Sequence, residues 1–597
     1  MRCISPFVLL LLSLVPGVLR AAKAVPGFYL HTQPDGTCIE VQMVGDEHSH
    51  YYLTRQGTVM LKEGQTLYVP DRFTRQELFR KKLRAEVSGD IEALKRKFPC
   101  TGSPHVPVIL VEFTDTTFSL PNPAIVFDRC LNSEDLRNDD TFTDSLAVKR
   151  NTGSVRQYFR DMSFGKFTPQ FDIYGPVKLE HPLSYYGANN NTALLCKDAC
   201  AALDSLIDFS QYDLDGNGEV DLVYMIAAGY SESYSQNSSD CLWPQVVWGI
   251  DGGTFDGKRV TMAGVSCELH GYPGAFSKAP LKRCAGIGLF VHEFGHALGL
   301  PDLYTTSHNA TYNNSTLEDW DVMDGGEYKD NGGYTPSPYT AYERKVLGWL
   351  DIDTLREDGE YTVLPLDKGG KAYCIEAEDT DVPECYFLEG VQNQGWGYWG
   401  TSSDFEGKGH GLMIIHAYNP GGGEFVRGRL PNNQTGEKYT EEGKTLSGAD
   451  TTYVRYRMNS HYHCLSTDTI LISLFWVGTD YFGNYYTRQD QNRSMMAVPF
   501  PGPNNVTAFD ATTRSRAWIY QGDGLMHKSL HNIREDEDGT VTFLFENDKL
   551  DGIRTPITTD RDKASSENAP AYNLQGMRVG AGFKGWTVRN GKVQLRK

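Results

Sequence analysis

The feature that most constrains the fold is the segment 291–302, Val-His-Glu-Phe-Gly-His-Ala-Leu-Gly-Leu-Pro-Asp. Residues four positions apart lie on the same face of a helix, so His292 and His296 can both reach one metal ion. Glu293 is offset from that face and is free to accept a proton from a metal-bound water. The spacing therefore predicts a buried helix that carries a catalytic Zn²⁺ site.

The residues on both sides of this motif favour the same interpretation. Residues 285–290 are apolar or small, which is typical of a helix beneath a cleft, and Gly299 allows a left-handed turn out of the helix. Asp302 comes six residues after the second histidine and is the predicted third zinc ligand, although Asp321 or Asp324 could take that place. The competing interpretation is a pair of ordinary helix histidines satisfied by hydrogen bonds.

A second motif follows a short loop downstream, at residues 320–326 (Trp-Asp-Val-Met-Asp-Gly-Gly). Its Asp–Gly pair predicts a tight turn that places Met323 beneath the metal ion. A methionine before such a turn is also typical of simple core packing. The order of the two motifs along the chain is what favours the metal site.

These residues resemble the immune inhibitor A family of secreted bacterial zinc metallopeptidases, a metzincin-like group. The zinc motif with its Gly-Leu-Pro-Asp extension is the most specific part of the resemblance. The similar segments are residues 108–113, 153–166, 292–304, 320–326, 341–350, 386–389, 395–396 and 409–416. The resemblance implies an α+β fold, with a metzincin-like zinc peptidase domain that is preceded by a propeptide and followed by a β-sandwich-like region.

One departure from the metzincin pattern concerns the transition state. Some metzincins carry a stabilising tyrosine two residues after the turn methionine, and Gly325 occupies that position here. Tyr328, Tyr339 or Tyr342 could serve instead, although each is also typical of an aromatic side chain in a cleft wall. The sequence leaves open which tyrosine, if any, stabilises the oxyanion.

The start of the chain is typical of an exported protein. Arg2, the apolar residues 7–15 and the A-x-A sequence at residues 22–24 predict a Sec-type signal peptide over residues 1–24. The apolar run is too short to span a membrane, and residues 470–477 have only the length of a strand. We therefore expect a secreted, extracellular protein without a transmembrane anchor.

Residues 25–103 resemble the propeptides of related peptidases. A capping box at residues 74–77 predicts a helix rich in Arg and Lys, and exposed basic segments are easily cut by proteases. The hypothesis is a zymogen that is activated by cleavage near residues 97–103. Cys38 or Cys100 could ligate the zinc as an inhibitory thiolate, but a disulfide or an unpaired thiol is the simpler interpretation.

At 597 residues the chain is longer than one hydrophobic core normally serves, so several domains are expected. Residues 104–350 form the expected catalytic domain. After Leu350 the alternation of apolar and polar residues predicts an antiparallel β region over residues 351–548, which supports the catalytic domain or binds substrate. Residues 553–597 are expected to form a polar linker and a short C-terminal module, and the sequence leaves a role in surface attachment open.

Residues 213–221 predict a structural Ca²⁺ site. Oxygen-bearing side chains alternate in this loop, with a glycine at its sixth position as in an EF-hand. Tyr224 stands where an EF-hand carries its bidentate glutamate, so a shortened site is the prediction, and a plain polar turn is the alternative. The candidate ligands are Asp213, Asp215, Asn217, Glu219 and Asp221.

Charge and cysteine usage add two expectations. A formal net charge of -19 argues against nucleic acid and anionic membranes as partners, because both favour basic surfaces. The chain has twelve cysteines, and loss of Cys3 with the signal peptide leaves an odd number. Cys374 and Cys385 are a predicted hairpin-closing pair, whereas Cys196 and Cys200 are each expected to pair elsewhere.

The sequence thus predicts a secreted zinc endopeptidase that is made as a zymogen and acts on proteins or peptides. His292, His296 and Asp302 would hold zinc, and Glu293 would act first as general base and then as general acid. One alternative is a catalytically idle adhesin or binding protein on the same fold, which would have no need of Glu293. Another is a zinc hydrolase of a different substrate class, such as esters or glycans.

Overall fold

The computed structural model describes residues 19–22, 24–25, 27–46, 49–55, 58–70, 98–188, 190–234, 240–273, 282–303, 317–378, 384–399, 409–418, 498–510 and 526–547, with short strands between 425 and 486 and between 571 and 596. The chain divides into two compact units, residues 1–547 and residues 548–597. Most of the predicted signal peptide and the predicted basic helix lie outside the described residues. No described helix is long and apolar enough to cross a membrane.

The described residues between 19 and 70 of the first unit form six strands. They are β1 (Leu19–Ala21), β2 (Tyr29–Thr32), β3 (Cys38–Asp46), β4 (Ser49–Thr54), β5 (Val59–Glu63) and β6 (Thr66–Tyr68). Strands β2 to β6 form an antiparallel meander in which each strand pairs with the next along the chain. The apolar side of this meander packs on Trp243. Residues 27–70 of the expected propeptide, apart from the few that the structure does not describe, therefore form a small sheet that packs on the next domain.

The catalytic part is organised around a mixed six-stranded sheet in the order β1-β11-β14-β10-β7-β8. Its further strands are β7 (His105–Glu112), β8 (Gln170–Lys178), β10 (Val223–Tyr230), β11 (Gln245–Trp248) and β14 (Met262–Leu269). A smaller sheet beside it is formed by β9 (Glu219–Val220), β12 (Thr254–Phe255) and β13 (Lys258–Val260). Strands β7, β8, β10 and β14 run parallel, whereas β11 is antiparallel to β14 and β1 is antiparallel to β11.

Helices cover both faces of this sheet, which explains the nearly continuous apolar run of β7. Val108 and Leu110 face one core and Ile109 and Val111 face the other, because alternate residues of a strand point to opposite sides. The helices are α1 (Pro123–Asn132), α2 (Val155–Met162), α3 (Leu183–Gly187), α4 (Thr192–Leu203), α5 (Gly288–Ala297) and α6 (Ala341–Val346). Capping boxes formed by Ser154 and by Thr340 begin α2 and α6.

The region after residue 350 is rich in strands. They are β15 (Ile352–Thr354), β16 (Gly359–Val363), β17 (Ala372–Glu376), β18 (Glu384–Val391), β19 (Gly411–Tyr418), β20 (Phe425–Gly428), β21 (Val454–Arg457), β22 (Tyr462–Cys464), β23 (Gly478–Thr479), β24 (Tyr485–Tyr486), β25 (Lys528–Glu535) and β26 (Val541–Asn547). A five-stranded sheet (β15-β17-β18-β19-β22) and a three-stranded sheet (β16-β26-β25) contribute to one apolar core. The pairing is antiparallel as expected, except that β15 runs parallel to β17.

The second compact unit contains one four-stranded sheet in the order β28-β27-β29-β30. Its strands are β27 (Ala571–Asn573), β28 (Arg578–Val579), β29 (Gly585–Arg589) and β30 (Lys592–Arg596). All of its strand pairs are antiparallel.

The cysteine expectations have different outcomes. Cys374 and Cys385 lie on adjacent strands with their thiols in hydrogen-bonding contact, and both are free thiols in this structure. The sulfurs of Cys196 and Cys200 face each other at 3.9 Å on α4. The expectation that Cys196 and Cys200 reach separate partners is therefore wrong, because one helical turn places them side by side in the core.

Candidate active site

Helix α5 carries the predicted zinc motif and is buried over its whole length. Phe290 packs against Tyr224 of the central sheet, with ring centroids 4.1 Å apart. Gly299 adopts a φ of 96°, a left-handed conformation that favours glycine, and the chain leaves the helix there as predicted. This turn brings the following residues back toward the histidines.

Three ligand atoms converge beside α5. Oδ1 of Asp302 lies 3.5 Å from Nε2 of His292 and 3.2 Å from Nε2 of His296. Both histidines are fully buried, and these three residues each offer one ligand atom within 4.8 Å of the others. The structure therefore brings together all three residues that the sequence analysis selected as zinc ligands.

The other ring nitrogen of each histidine contacts a backbone carbonyl. Nδ1 of His292 lies 2.7 Å from the Val322 oxygen, and Nδ1 of His296 lies 2.9 Å from the Leu300 oxygen. A carbonyl only accepts hydrogen bonds, so Nδ1 carries a proton in each ring, and the neutral form of each ring has its lone pair on Nε2. This is the tautomer that a divalent metal such as zinc requires from imidazole ligands.

The two aspartates considered as alternative zinc ligands, Asp321 and Asp324, accept hydrogen bonds from backbone amides instead. Asp321 accepts hydrogen bonds from the backbone amides of Met323 (2.6 Å) and Thr340 (3.3 Å). Asp324 accepts from the amide of Leu317 at 2.9 Å. These carboxylates stabilise the turn around Met323, and neither belongs to the group of metal-compatible residues in the described part of the chain.

The turn itself lies directly against α5. A Cβ atom at Gly295 would lie 2.7 Å from Sδ of Met323 and 2.8 Å from Oη of Tyr339. Only a residue without a side chain allows this close approach. Met323 thus lies directly against the helix that carries both histidines.

The electrostatics of the site favour a cation. Burial lowers the pKa of His292, but Asp302, Glu327 and Glu293 outweigh that effect and raise it to about 10. Burial raises the pKa of Asp302, and the two histidines lower it well below its usual range. Several carboxylates thus share one buried site with two imidazoles. Glu327 was not selected from the sequence, because nothing in its local pattern marks it as a neighbour of His292.

Glu293 contacts the backbone of a distant segment. Its Oε1 accepts a hydrogen bond from the amide nitrogen of Ala22 at 2.9 Å, and the carboxyl group is fully buried. The indole Nε1 of Trp243 donates to the carbonyl oxygen of the same alanine at 2.6 Å. A peptide group is therefore held directly against the predicted general base. No local pattern marks Trp243, because its role depends on contacts between residues far apart in the chain.

The three candidate tyrosines occupy different environments. Tyr339 is buried behind the helix and donates its hydroxyl to the Val291 carbonyl at 2.9 Å. Tyr342 packs on Phe387 of the β region, with ring centroids 5.2 Å apart. Tyr328 is the one of the three that packs with Ala22. It is therefore the candidate closest to a peptide in the cleft.

The predicted calcium loop converges only in part. Asp213, Asp215 and Asp221 each offer an oxygen within 4.8 Å of the others. Asn217 instead accepts a hydrogen bond from the amide of Glu219 at 2.7 Å. The side chain of Glu219 pairs with Arg259 and accepts from Thr261. Tyr224 occupies the twelfth position of the loop and is a buried residue of β10, so this position offers no carboxylate ligand.

Three further observations bear on this acidic cluster. Lys258 Nζ lies 2.6 Å from Oδ2 of Asp213, so an ammonium group already neutralises part of its charge. Oδ1 of Asp213 is buried without a hydrogen-bond partner. Burial and the neighbouring acidic groups Asp215, Asp213 and Glu219 raise the pKa of Asp221 to about 6. The cluster is thus compatible with a cation, although one of its oxygens is shared with a lysine.

A buried helix with two histidines and a glutamate, joined by an aspartate and underlain by a methionine turn, is the arrangement expected of a metallopeptidase site. The family model described as the immune inhibitor A peptidase M6 catalytic domain matches residues 101–350. Residues 101–350 of this chain are therefore similar to the catalytic domain of the immune inhibitor A family of metallopeptidases, as the sequence motifs indicated. That similarity implies a catalytic metal.

Two curated relatives support the family. The chain is 26% identical over 287 residues to Immune inhibitor A of Bacillus thuringiensis subsp. alesti, a match that covers 41% of this chain and 40% of that protein. It is 24% identical over 219 residues to the pre-pro-metalloprotease PrtV of Vibrio cholerae serotype O1, which covers 32% of this chain and 23% of PrtV. The matches thus span less than half the length of either relative.

Proposed function

We propose that this protein is a secreted zinc-dependent endopeptidase that hydrolyses peptide bonds in proteins. One observation carries the proposal: two Nε2 atoms and a carboxylate oxygen converge beside Glu293, and Glu293 contacts a peptide amide. His292, His296 and Asp302 would hold the zinc ion. The protonated Nδ1 atoms of the histidines fit this role, because they leave Nε2 available to a metal.

The reaction follows from the placement of Glu293. Zinc, when bound, supplies Lewis acidity that polarises the scissile carbonyl and makes the attacking water more acidic. Glu293 accepts a proton from that water and later delivers it to the nitrogen of the leaving amine. Its contact with the Ala22 amide places its carboxylate at the distance that proton delivery to such a nitrogen requires. The buried surroundings exclude bulk water from both transfers.

Export and latency are part of the same proposal. The segment before the catalytic domain is a distinct meander of strands, β2 to β6, and its apolar side packs on Trp243 of the catalytic domain. One relative is named a pre-pro-metalloprotease. We infer that the chain is secreted after removal of residues 1–24 and is held latent by residues of the N-terminal region. Cleavage near residues 97–103 would then release the catalytic domain.

A structural Ca²⁺ ion at Asp213, Asp215 and Asp221 is a separate proposal. It is supported by the buried, unpartnered Oδ1 of Asp213 and by the short distances among the three carboxylates. Asn217 and Glu219 lie in the same loop and could contribute only by changing their present hydrogen bonds. Such an ion would stabilise the loop and would take no part in the chemistry.

The test uses the processed protein, with zinc content and casein cleavage measured in the same samples. We expect one equivalent of zinc, cleavage of casein, and loss of both on treatment with phenanthroline. Glu293→Gln keeps the size of the side chain but cannot accept the proton, so it should retain zinc and lose cleavage. Glu357→Gln, at an exposed position, is the matched control and should retain both.

The alternatives predict different outcomes of this experiment. A zinc-loaded wild-type protein that leaves casein and unrelated peptides intact would contradict the endopeptidase proposal. Cleavage of an ester or glycan substrate by that same sample would identify a hydrolase of another class. A protein that binds no zinc and cleaves nothing would favour the idle adhesin or binding protein.

A further inference from the structure

Strand β1 and Ala22, the residue that follows it, lie beside Glu293. Strand β1 pairs antiparallel with the edge strand β11, with Leu19 opposite Val247 and Ala21 opposite Gln245. Further along, the amide of Val25 donates to the carbonyl oxygen of Ser233 at 2.9 Å. Main-chain pairing with an edge strand is one of the common ways in which proteins bind extended peptides. This segment therefore shows how a peptide fits the cleft.

The register of this strand is fixed by Glu293. The amide nitrogen of Ala22 donates to its carboxylate at 2.9 Å. In peptide hydrolysis the nitrogen that receives the proton belongs to the residue after the scissile bond. The bond between Ala21 and Ala22 thus lies where a substrate bond would be cut, and Ala22 takes the first position on the leaving-amine side.

The side chain of Ala22 is enclosed by a small cluster of buried side chains, which form a pocket around it. It is fully buried and packs with Tyr234, Leu289 and Tyr328, and Val25 lies against the same cluster. Hydrogen bonds of their hydroxyl groups hold the two tyrosine rings in position. The hydroxyl of Tyr234 lies 2.6 Å from Nδ1 of His270, and Ser233 is hydrogen-bonded to the hydroxyl of Tyr328. The pocket walls cannot separate without loss of buried hydrogen bonds.

Trp243 fixes the carbonyl on the other side of Ala22. Its indole Nε1 donates to that oxygen at 2.6 Å, and the ring stacks on His50 with centroids 5.2 Å apart. The indole is almost fully buried. It therefore holds the peptide backbone whatever side chain the substrate carries at this position.

We propose that the enzyme prefers substrates with a small residue, such as alanine, immediately after the scissile bond. Tyr234, Leu289 and Tyr328 determine this specificity by closing the pocket, and Trp243 positions the backbone of the same residue. The inference rests on the proposed endopeptidase function and adds the substrate class. A pocket sized for one side chain discriminates against a larger one by about tenfold or more.

The test uses the zinc-loaded, processed enzyme and a peptide with the sequence of residues 18–27. Two further peptides carry Leu or Phe in place of the alanine that corresponds to Ala22. We expect cleavage between the residues that correspond to Ala21 and Ala22, detected by mass spectrometry. The value of kcat/KM for the alanine peptide should exceed that for the leucine peptide by about tenfold or more.

Variants separate pocket size from backbone binding. Leu289→Ala enlarges the pocket and should reduce the alanine-to-leucine ratio, whereas Leu206→Ala, at a surface position, should leave it unchanged. Trp243→Phe removes the indole donor and should raise KM for all three peptides without changing the ratio. The peptide series with wild-type enzyme is decisive even where a variant does not fold.

Two outcomes would overturn the specificity proposal while the endopeptidase proposal stands. In the first, casein is cleaved but the leucine peptide is cut as fast as the alanine peptide. In the second, the alanine peptide is cut only at another bond. A zinc-loaded enzyme that leaves casein and all three peptides intact would instead contradict the endopeptidase function itself.

Discussion

The imidazole Nδ1 of His292 lies 2.7 Å from the carbonyl oxygen of Val322, and this contact joins the metal-binding helix to the turn beneath it. Val322 immediately precedes Met323, whose sulfur packs against the helix at Gly295. The orientation of the imidazole therefore depends on the distance between the helix and the turn. Any change that moves the helix and the turn apart should therefore displace Nε2, the atom that faces Asp302.

Gly295→Ala should separate helix and turn. The added Cβ would lie 2.7 Å from the Met323 sulfur, so one of the two elements must shift. We expect a destabilisation of about 1–3 kcal/mol in denaturant unfolding, together with weaker zinc binding. Gly359→Ala is the control, because a Cβ there would meet nothing closer than 3.7 Å. Equal zinc affinity in both variants would show that the close approach does not position the histidine.

Asp302→Ala tests the third ligand. The carboxylate lies within 3.5 Å of both Nε2 atoms, so its loss should weaken zinc binding by more than about 100-fold in competition with a chelator. Asp324→Asn should leave zinc affinity unchanged, because an amide oxygen can still accept the bond from Leu317. If Asp324→Asn loses zinc and Asp302→Ala retains it, the ligand assignment is wrong.

The sequence was most informative where the chemistry is local. The spacing of His292, Glu293 and His296 and the turn at Gly299 follow from helix geometry, so the motif predicted both the helix and its end. The family resemblance was likewise confirmed over residues 101–350. These features depend on a few consecutive residues, and neighbours in the sequence carry most of the information.

The cleft walls could not be predicted in this way. Ala22 and Glu293 are 271 residues apart in the chain, and no local pattern marks their contact.

The calcium loop shows a different limit of prediction from sequence. Its alternating oxygens suggested five ligands, but Asp215 and Asn217 accept hydrogen bonds from amides two residues further on. Short polar side chains often bond their own backbone, and a sequence pattern does not distinguish this from metal ligation.

Calcium should stabilise the protein if the acidic cluster binds it. Asp213, Asp215 and Asp221 lie close together, so an added divalent cation relieves their mutual repulsion. At a calcium concentration 100 times the Kd, the stabilisation should reach about 2.7 kcal/mol. It should appear as a rise in Tm by calorimetry of the zinc-loaded Glu293→Gln protein, which avoids autolysis.

Asp213→Asn should abolish this calcium-dependent rise. Asp251→Asn is the matched control, because Asp251 is an exposed carboxylate that pairs with Lys197 outside the cluster. A rise in Tm that survives Asp213→Asn would place the calcium site elsewhere. No rise in the parent protein would favour the polar turn, with Lys258 as the counter-ion of Asp213.

Glu389 should make stability depend on pH. It is buried where strand β18 meets helix α6 and accepts from the amide of Ala341. Burial raises its pKa to about 7, although that hydrogen bond and Arg344 oppose the shift. Below the unfolded value of about 4.5 the carboxyl is protonated in both states, so it has no effect on stability there. As pH rises toward 7 only the unfolded state ionises, and the folded state loses up to about 3 kcal/mol relative to it.

Glu389→Gln in the Glu293→Gln protein should remove this loss, so the variant should gain stability relative to its parent between pH 4.5 and 7 in urea unfolding. Glu357→Gln, at an exposed position, should show no such gain, and an equal gain in both variants would contradict the assignment to Glu389.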